Sequence, residues 1–239
     1  MSPTTYRKLQ GAHVLVIGGS SGIGAGVSEA AAASGANVTI SSSSQAKVDA
    51  AVARLAALYP SRTIRGIATD LSSPATVEAD LDALFRSAQG QGTINHVVYT
   101  AADALSLGSL DGVSVDMVHA ASHMRMVVPI VVAKTAARYL PGSHTSSITL
   151  TSGTVAERPT KGWAVVAYFG GGLISLARAL AVDLAPVRVN VVRPGYVDTG
   201  LWGGWAGRRR RRLWASLRAG RRRGGLEGWR TWPRRTCGS

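Results

Sequence analysis

Val14-Leu15-Val16-Ile17-Gly18-Gly19-Ser20-Ser21-Gly22-Ile23-Gly24 is the stretch whose reading decides the fold. Four apolar residues, three of them β-branched, predict a buried strand. Gly18, Gly22 and Gly24 then open a helix expected to run to Ser34 and to stop at Gly35. A strand that feeds a helix through glycines leaves main-chain N–H groups pointing outward, where the positive end of the helix dipole also lies. Such a turn suits a diphosphate, and a Cβ in it would block the bend or hold the ligand off the backbone. The spacing is G-x-x-x-G-x-G. The strand before it and the helix after it point to a dinucleotide site at Gly18, Ser20, Ser21, Gly22, Ile23 and Gly24. A tight turn without a ligand is the alternative.

Working outward, strands and helices alternate through short connections. A second strand spans 37–40 and ends in four serines, Ser41 to Ser44. Val48, Val52, Leu55 and Ala56 recur at helical spacing within 45–58, and Pro60 closes that helix. A third strand is expected over 63–69, an amphipathic helix over 76–88 and a fourth strand over 94–99. A loop at 105–112 leads to a long helix over 115–140, bent at Pro129. A fifth strand (146–151) delivers Ser152, a helix covers 163–184 and a sixth strand 187–192. This alternation implies an α/β, doubly wound, mainly parallel sheet with helices on both faces, its ligand lying across the carboxyl ends of the strands. An acid at the end of the second strand would hold a ribose 2′-hydroxyl and repel a 2′-phosphate. Ser41, Ser42 and Ser43 stand there instead, which favours NADP(H); the serines also read as a polar loop that caps the next helix.

The glycine turn, the strand-helix order and Pro194-Gly195-Tyr196-Val197-Asp198-Thr199 resemble the short-chain dehydrogenase/reductase family over roughly residues 10 to 202. The resemblance implies a Rossmann-type fold and a nicotinamide cofactor. It also implies adenine contacts from Asp70 and the Leu71 backbone, with Thr100 beside the cofactor and Val197 and Thr199 near the nicotinamide. Asp70 reads equally as a cap for the helix beginning near Pro74. Ile17 stands where the family usually has Thr, and Thr100-Ala101-Ala102-Asp103 replaces its usual N-N-A-G.

The family's active site is Asn, Ser, Tyr and Lys, the last two as Y-x-x-x-K on one helix. With the frame set by Leu173 to Ala181, the tyrosine position holds Val166 and the lysine position Gly170. Tyr168 is two residues late, about 200° around the helix, and is expected to face away. Gly170, Gly171 and Gly172 are poor helix formers and are expected to admit another helix, from this chain or a second subunit. Counting back from Pro129, the asparagine position holds Arg125. Arginine cannot serve as a neutral acid, but it binds phosphates, carboxylates or a developing anion; a surface charge is the alternative. Ser152 is placed to hydrogen-bond a substrate oxygen or to cap the following turn. Ser152 and Arg125 are therefore the candidate catalytic residues, and Arg125 is also a candidate cofactor ligand.

Three functions remain open. One is an NADP(H)-dependent reductase of a carbonyl or an activated C=N, since hydride adds to an iminium carbon without a proton donor at the reacting atom. The second is a non-redox enzyme that keeps the cofactor as a wall of its pocket, and the third is a binding protein. Arginine at the asparagine position and a tryptophan opening the active-site helix resemble branches of the family in fungal secondary metabolism.

Composition sets the remaining bounds. Hydrophobic residues make up 46% of the 239, a globular composition. The net charge is +14, yet twelve arginines and one glutamate lie from Gly207 onward, so the body is close to neutral. The organisation expected is a nucleotide-binding domain over 1–202 and an Arg-rich tail over 203–239 that lacks the family's seventh strand. Arginine with interspersed tryptophan is chemistry for nucleic acid, and equally what GC-rich DNA encodes out of frame. The lone Cys237 permits no intrachain disulfide, Glu29, Arg178 and Asp183 interrupt the richest apolar segments, and no metal-ligand cluster is evident. A cytoplasmic location, a small-molecule substrate, no membrane span and a homo-oligomer are the resulting expectations.

Overall fold

Every residue of the first strand, β1 (His13–Ile17), is buried, because its alternate side chains enter two different cores. Leu15 and Ile17 face one and Val14 and Val16 the other. This is the behaviour of a central strand covered on both faces. Burying each such side chain is worth about 1.5–3 kcal/mol. This computed structural model describes residues 8–202; the expected tail and the question of a seventh strand lie outside them.

Around β1 the elements follow in order as α1 (Gly22–Ala33), β2 (Asn37–Ser42), α2 (Gln45–Leu58), β3 (Ile64–Ala68), α3 (Val77–Gln89) and β4 (His96–Tyr99). Then come α4 (Val115–Ser122), α5 (Val128–Tyr139), β5 (Ser147–Thr151), α6 (Ala164–Asp183) and β6 (Arg188–Val192). The six strands form one parallel sheet in the order β3-β2-β1-β4-β5-β6. β1 therefore pairs with β2 through His13↔Asn37 and with β4 through Val14↔His96. The strand order reverses between β1 and β4, so their carboxyl ends open the crevice where a ligand binds in such sheets. Helices α1 and α2 line one core through Ala31, Ala32, Ala51 and Leu55. Helices α3, α5 and α6 line the other through Phe85, Val132 and Leu173.

Three differences from the sequence expectation matter for the site. Strand β2 runs two residues further than expected and takes in Ser41 and Ser42, because β1 and β3 both pair with it there, as Ser41↔Ile17 and Ser42↔Ala68. The long helix does not simply bend at Pro129. One π-helical turn, His123–Val127, separates α4 from α5. A proline ring clashes with the carbonyl four residues back, here that of Arg125, and the helix widens at that point. Third, beside the expectation of no membrane span stand two long apolar helical segments. Val115–Tyr139 and Ala164–Asp183 are long and apolar enough to cross a membrane by length and composition, because a window of that size tolerates isolated charges. Both contribute side chains to the core on the sheet.

Candidate active site

The glycine turn is fitted to its neighbours by the absence of side chains. Gly18 has φ +88°, and a Cβ there would lie 2.5 Å from the Ala101 nitrogen. A Cβ on Gly24 would lie 2.1 Å from the Gly18 carbonyl oxygen and 2.5 Å from Thr100 Oγ1. The first two turn amides are used internally: Gly18 and Gly19 both donate to the Ser41 carbonyl, at 2.8 and 3.0 Å. Beyond them Ser20, Ser21, Gly22 and Ile23 are at least partly exposed. Helix α1 starts there with no side chain capping it and no acid in its first turn. A helix start left uncapped and free of negative charge is an anion site in waiting, and these residues fit a dinucleotide diphosphate. Thr199 closes over the turn, its Cβ and Cγ2 standing 3.3 Å from where a Cβ of Gly22 would be. Val197 is exposed nearby in sequence.

The other expected cofactor residues divide. Thr100 lies under the turn, its backbone N–H and its hydroxyl both bonded to the Ile17 carbonyl, at 2.8 and 3.1 Å. Ser41 is buried and its Oγ has no hydrogen-bond partner, so its side chain is sealed from the crevice as the strand stands. Ser42 is half-buried and Ser43 exposed. Ser44 caps α2 by accepting from the Lys47 N–H. Asp70 is exposed and does not cap α3, whose N-cap is Thr76; its Oδ1 accepts from the Ser72 N–H at 3.0 Å. Leu71 is buried, and its carbonyl accepts from His123 Nε2 at 2.7 Å. An open cleft of about 500 Å³ runs from Asp70 along the outer edge of the sheet between β3 and α3, past Ile67, Thr76 and Asp80.

Neither candidate catalytic residue has the partner foreseen for it. The Ser152 hydroxyl donates to the Gly170 carbonyl at 2.8 Å, across 18 residues, instead of capping its own turn. Gly170 faces Ser152 and Ala156, 3.3 and 3.4 Å from the place of its missing Cβ, so little space is left at the position expected, by resemblance, to correspond to the lysine. Val166 is buried, and Tyr168 is 66% exposed with its ring against Phe169. Helical geometry alone anticipates that outward direction. Gly172 admits Met126 of the same chain, whose Cε lies 2.5 Å from where its Cβ would be, so this part of the glycine run serves an internal contact.

The Arg125 side chain, only 13% exposed, turns back onto the segment after β4. Its Nη2 donates to the carbonyls of Asp103 and Ala104 at 2.7 and 3.2 Å. It also lies 2.8 Å from Asp103 Oδ1 as a charge contact without hydrogen-bond geometry, and both its Nε and that Oδ1 are sealed without a hydrogen-bond partner. Beneath, the buried Tyr99 hydroxyl donates to the Met124 carbonyl at 2.7 Å. Burial, and then the Asp103 charge, push the Tyr99 pKa far up against the opposing pull of Arg125, so this phenol keeps its proton. Sequence reasoning missed Asp103, His123 and Tyr99 as parts of this cluster. It also missed the aromatic pair in which Trp163, at the start of α6, and Tyr196, after β6, meet edge to face with centroids 5.9 Å apart. Nothing local signals that pair, since 33 residues separate its members. Among the described residues no group of three or more His, Cys, Asp or Glu could hold a metal ion.

A family model described as an SDR-like Rossmann domain matches residues 6–222. The short-chain dehydrogenase/reductase fsr5 of Gibberella fujikuroi is 42% identical over 198 residues, covering 82% of this chain and 75% of the relative. The short-chain dehydrogenase/reductase ucsE of Acremonium sp is 43% identical over 205 residues, covering 83% and 77%. Among solved structures, the MalC reductase/Diels-Alderase from Malbranchea aurantiaca superposes with a TM-score of 0.83 at 35% identity, over 92% of this chain and 85% of that one. A Burkholderia cenocepacia short-chain dehydrogenase in complex with NADP gives 0.71 at 32% identity, over 80% and 77%.

Proposed function

This chain belongs to the short-chain dehydrogenase/reductase family, and we propose that it is an NADP(H)-dependent oxidoreductase of fungal-type secondary metabolism acting on a carbonyl or, foremost, an activated C=N group. The observation that carries this reading is the pairing of a fitted glycine cradle with a crevice whose usual proton-donor positions hold Val166 and Gly170. The cofactor, when bound, supplies a hydride. The uncapped start of α1 holds the diphosphate through its amides and dipole. Ser42 and Ser43 present hydroxyls and backbone donors to a 2′-phosphate where an acid would repel it. Asp70 and Leu71 line the adenine end, Thr100 backs the glycine turn, and Val197 and Thr199 line the nicotinamide end. Ser152 is the residue nearest a substrate-orienting role, although its proton is engaged by Gly170. Tyr99, locked to Met124, supplies no proton. A substrate carbon that is already cationic needs none, which is why an iminium suits this crevice better than a ketone. Trp163 and Tyr196 offer it aromatic walls. The enzyme is placed in the cytosol and, like many of its family, in a homo-oligomer.

A second reading, a cyclase-like enzyme that keeps the cofactor as a wall, draws on the same missing donor and on the likeness to the MalC reductase/Diels-Alderase. One assay separates the two. Loss of NADPH absorbance in step with product marks reduction; product without that loss marks cyclisation. Failure of the folded protein to bind NADPH or NADH at millimolar concentration removes both.

A further inference from the structure

We propose that Asp103 is a positioning residue for the cofactor site: its carboxylate fixes Arg125, and the pair clamps the segment that follows the residues backing the glycine bend. The inference rests on cofactor binding at that bend. Asp103 and Arg125 stand at two places where this chain departs from the family pattern, Gly in N-N-A-G and the active-site Asn, and the fold brings the two departures into contact at 2.8 Å. A lone arginine there would be an anion hook. Here the Arg125 side chain is 13% exposed and Nη2 donates to two carbonyls of the segment, while the Asp103 carboxylate, on a side chain 36% exposed, stands 2.8 Å away as a charge contact.

The segment so gripped follows directly on the two residues, Thr100 and Ala101, against which the glycine bend packs. Ala101 fills the place of a Gly18 side chain, and Thr100 is bonded twice to Ile17 at the end of β1. The π-helical turn that carries Arg125 is itself held to β4 by the Tyr99–Met124 bond and to the segment after β3 by His123–Leu71. Arg125 thus links the widened helix to the segment next to the floor of the phosphate cradle, and Asp103 keeps it aimed there. Without the Asp103 charge the mostly buried guanidinium keeps only its two carbonyl acceptors and loses the attraction that aims it, so loss of the Asp103 carboxylate loosens the segment.

The opposite reading, that Arg125 binds an anionic group of cofactor or substrate, makes the contrary prediction for one variant. Neutralising Asp103 would then free positive charge and tighten binding. The test is fluorescence titration of the full chain with NADPH, and with adenosine 2′-monophosphate as a probe of the adenosine end alone. Wild type, D103N, R125Q, R125K and the D103N/R125Q double variant are compared. Hydrogen exchange of the amides at 103–108 is followed in cofactor-free protein. D103N and R125Q should each weaken NADPH about fivefold or more, leave the adenosine probe and the thermal midpoint nearly unchanged, and speed exchange at the turn. The double variant should be no weaker than the worse single one, as for two members of one contact. R125K, which keeps charge but not the three-way grip, should fall between; it replaces R125Q if that variant does not fold. Tighter or unchanged NADPH binding by D103N, or unchanged exchange, overturns the clamp alone. Wild type that binds no NADPH overturns the functional reading and the clamp with it.

Discussion

Gly24 and Gly26 sit two residues apart in α1 and answer alanine in opposite ways. A Cβ on Gly24 meets the Gly18 carbonyl oxygen at 2.1 Å, whereas one on Gly26 meets nothing within 4 Å. Helix propensity favours alanine at both by roughly 0.5–1 kcal/mol, but overpacking against backbone costs about 1–3 kcal/mol. Gly24→Ala should therefore lower the urea midpoint and weaken NADPH binding. Gly26→Ala should raise stability by about 0.5–1 kcal/mol and leave binding unchanged. The serine run makes a second residue-scale prediction. Ser42→Asp places a carboxylate at the end of β2, where it accepts from a ribose hydroxyl and repels a phosphate. The ratio of NADPH to NADH affinity should fall about tenfold or more, read by titration with each nucleotide; an unchanged ratio would remove the serines from cofactor choice.

The element that most shapes the site is the π-helical turn between α4 and α5, and its cause is a proline. Pro129 offers no N–H, and its ring bars the normal approach of the Arg125 carbonyl. Pro129→Ala returns a donor and removes the obstruction. The turn should then tighten toward ordinary α-helix, rotating Arg125 off Asp103 and Ala104. The expected result is stability within about 1 kcal/mol of wild type, with NADPH affinity reduced, checked by chemical denaturation and titration together. Neighbouring elements would not follow the change, because α3 and α5 are tied separately. Asp82 on α3 accepts from Tyr139 on α5 and pairs with Arg86 and Arg138. The Tyr139 hydrogen bond is the largest influence and lowers the Asp82 pKa; desolvation, the next, opposes it, and the charges of Arg86 and Arg138 add smaller lowering effects.

At the scale of the whole molecule, the amino-terminal ends of the strands carry a pH response of their own. His13, at the start of β1, is buried, with Nε2 2.8 Å from Thr39 Oγ1 and Nδ1 3.2 Å from the Gly92 carbonyl. Burial lowers its pKa below the usual histidine value of 6.5, outweighing the Gly92 bond. His96, at the start of β4, is lowered too, by burial and then by Arg188. In both cases the unfolded chain binds the proton more readily than the fold does. Their contribution is present in full above about pH 6.5 and is lost as pH falls through the lowered folded values. Urea midpoints should decline below about pH 6.5. His13→Gln, which keeps hydrogen-bonding capacity without titrating, should flatten part of that decline.

The sequence by itself determined what depends on neighbours along the chain. The β1 turn, the alternation of strands and helices and the outward direction of Tyr168 follow from local period and glycine chemistry, and the family resemblance alone put Val166 and Gly170 at the Tyr and Lys positions. What only the tertiary structure decided is which polar group finds which partner. Ser41 was expected to face a cofactor, yet double pairing draws it into the sheet. The hydroxyl of Ser152 goes to Gly170, 18 residues on. Arg125 goes to Asp103, 22 residues back, because a proline widened one helical turn. A charge or hydroxyl has no period to read; its partner is set by whatever donors and acceptors packing leaves within reach, and those come from distant strands and helices brought together only by the closed sheet.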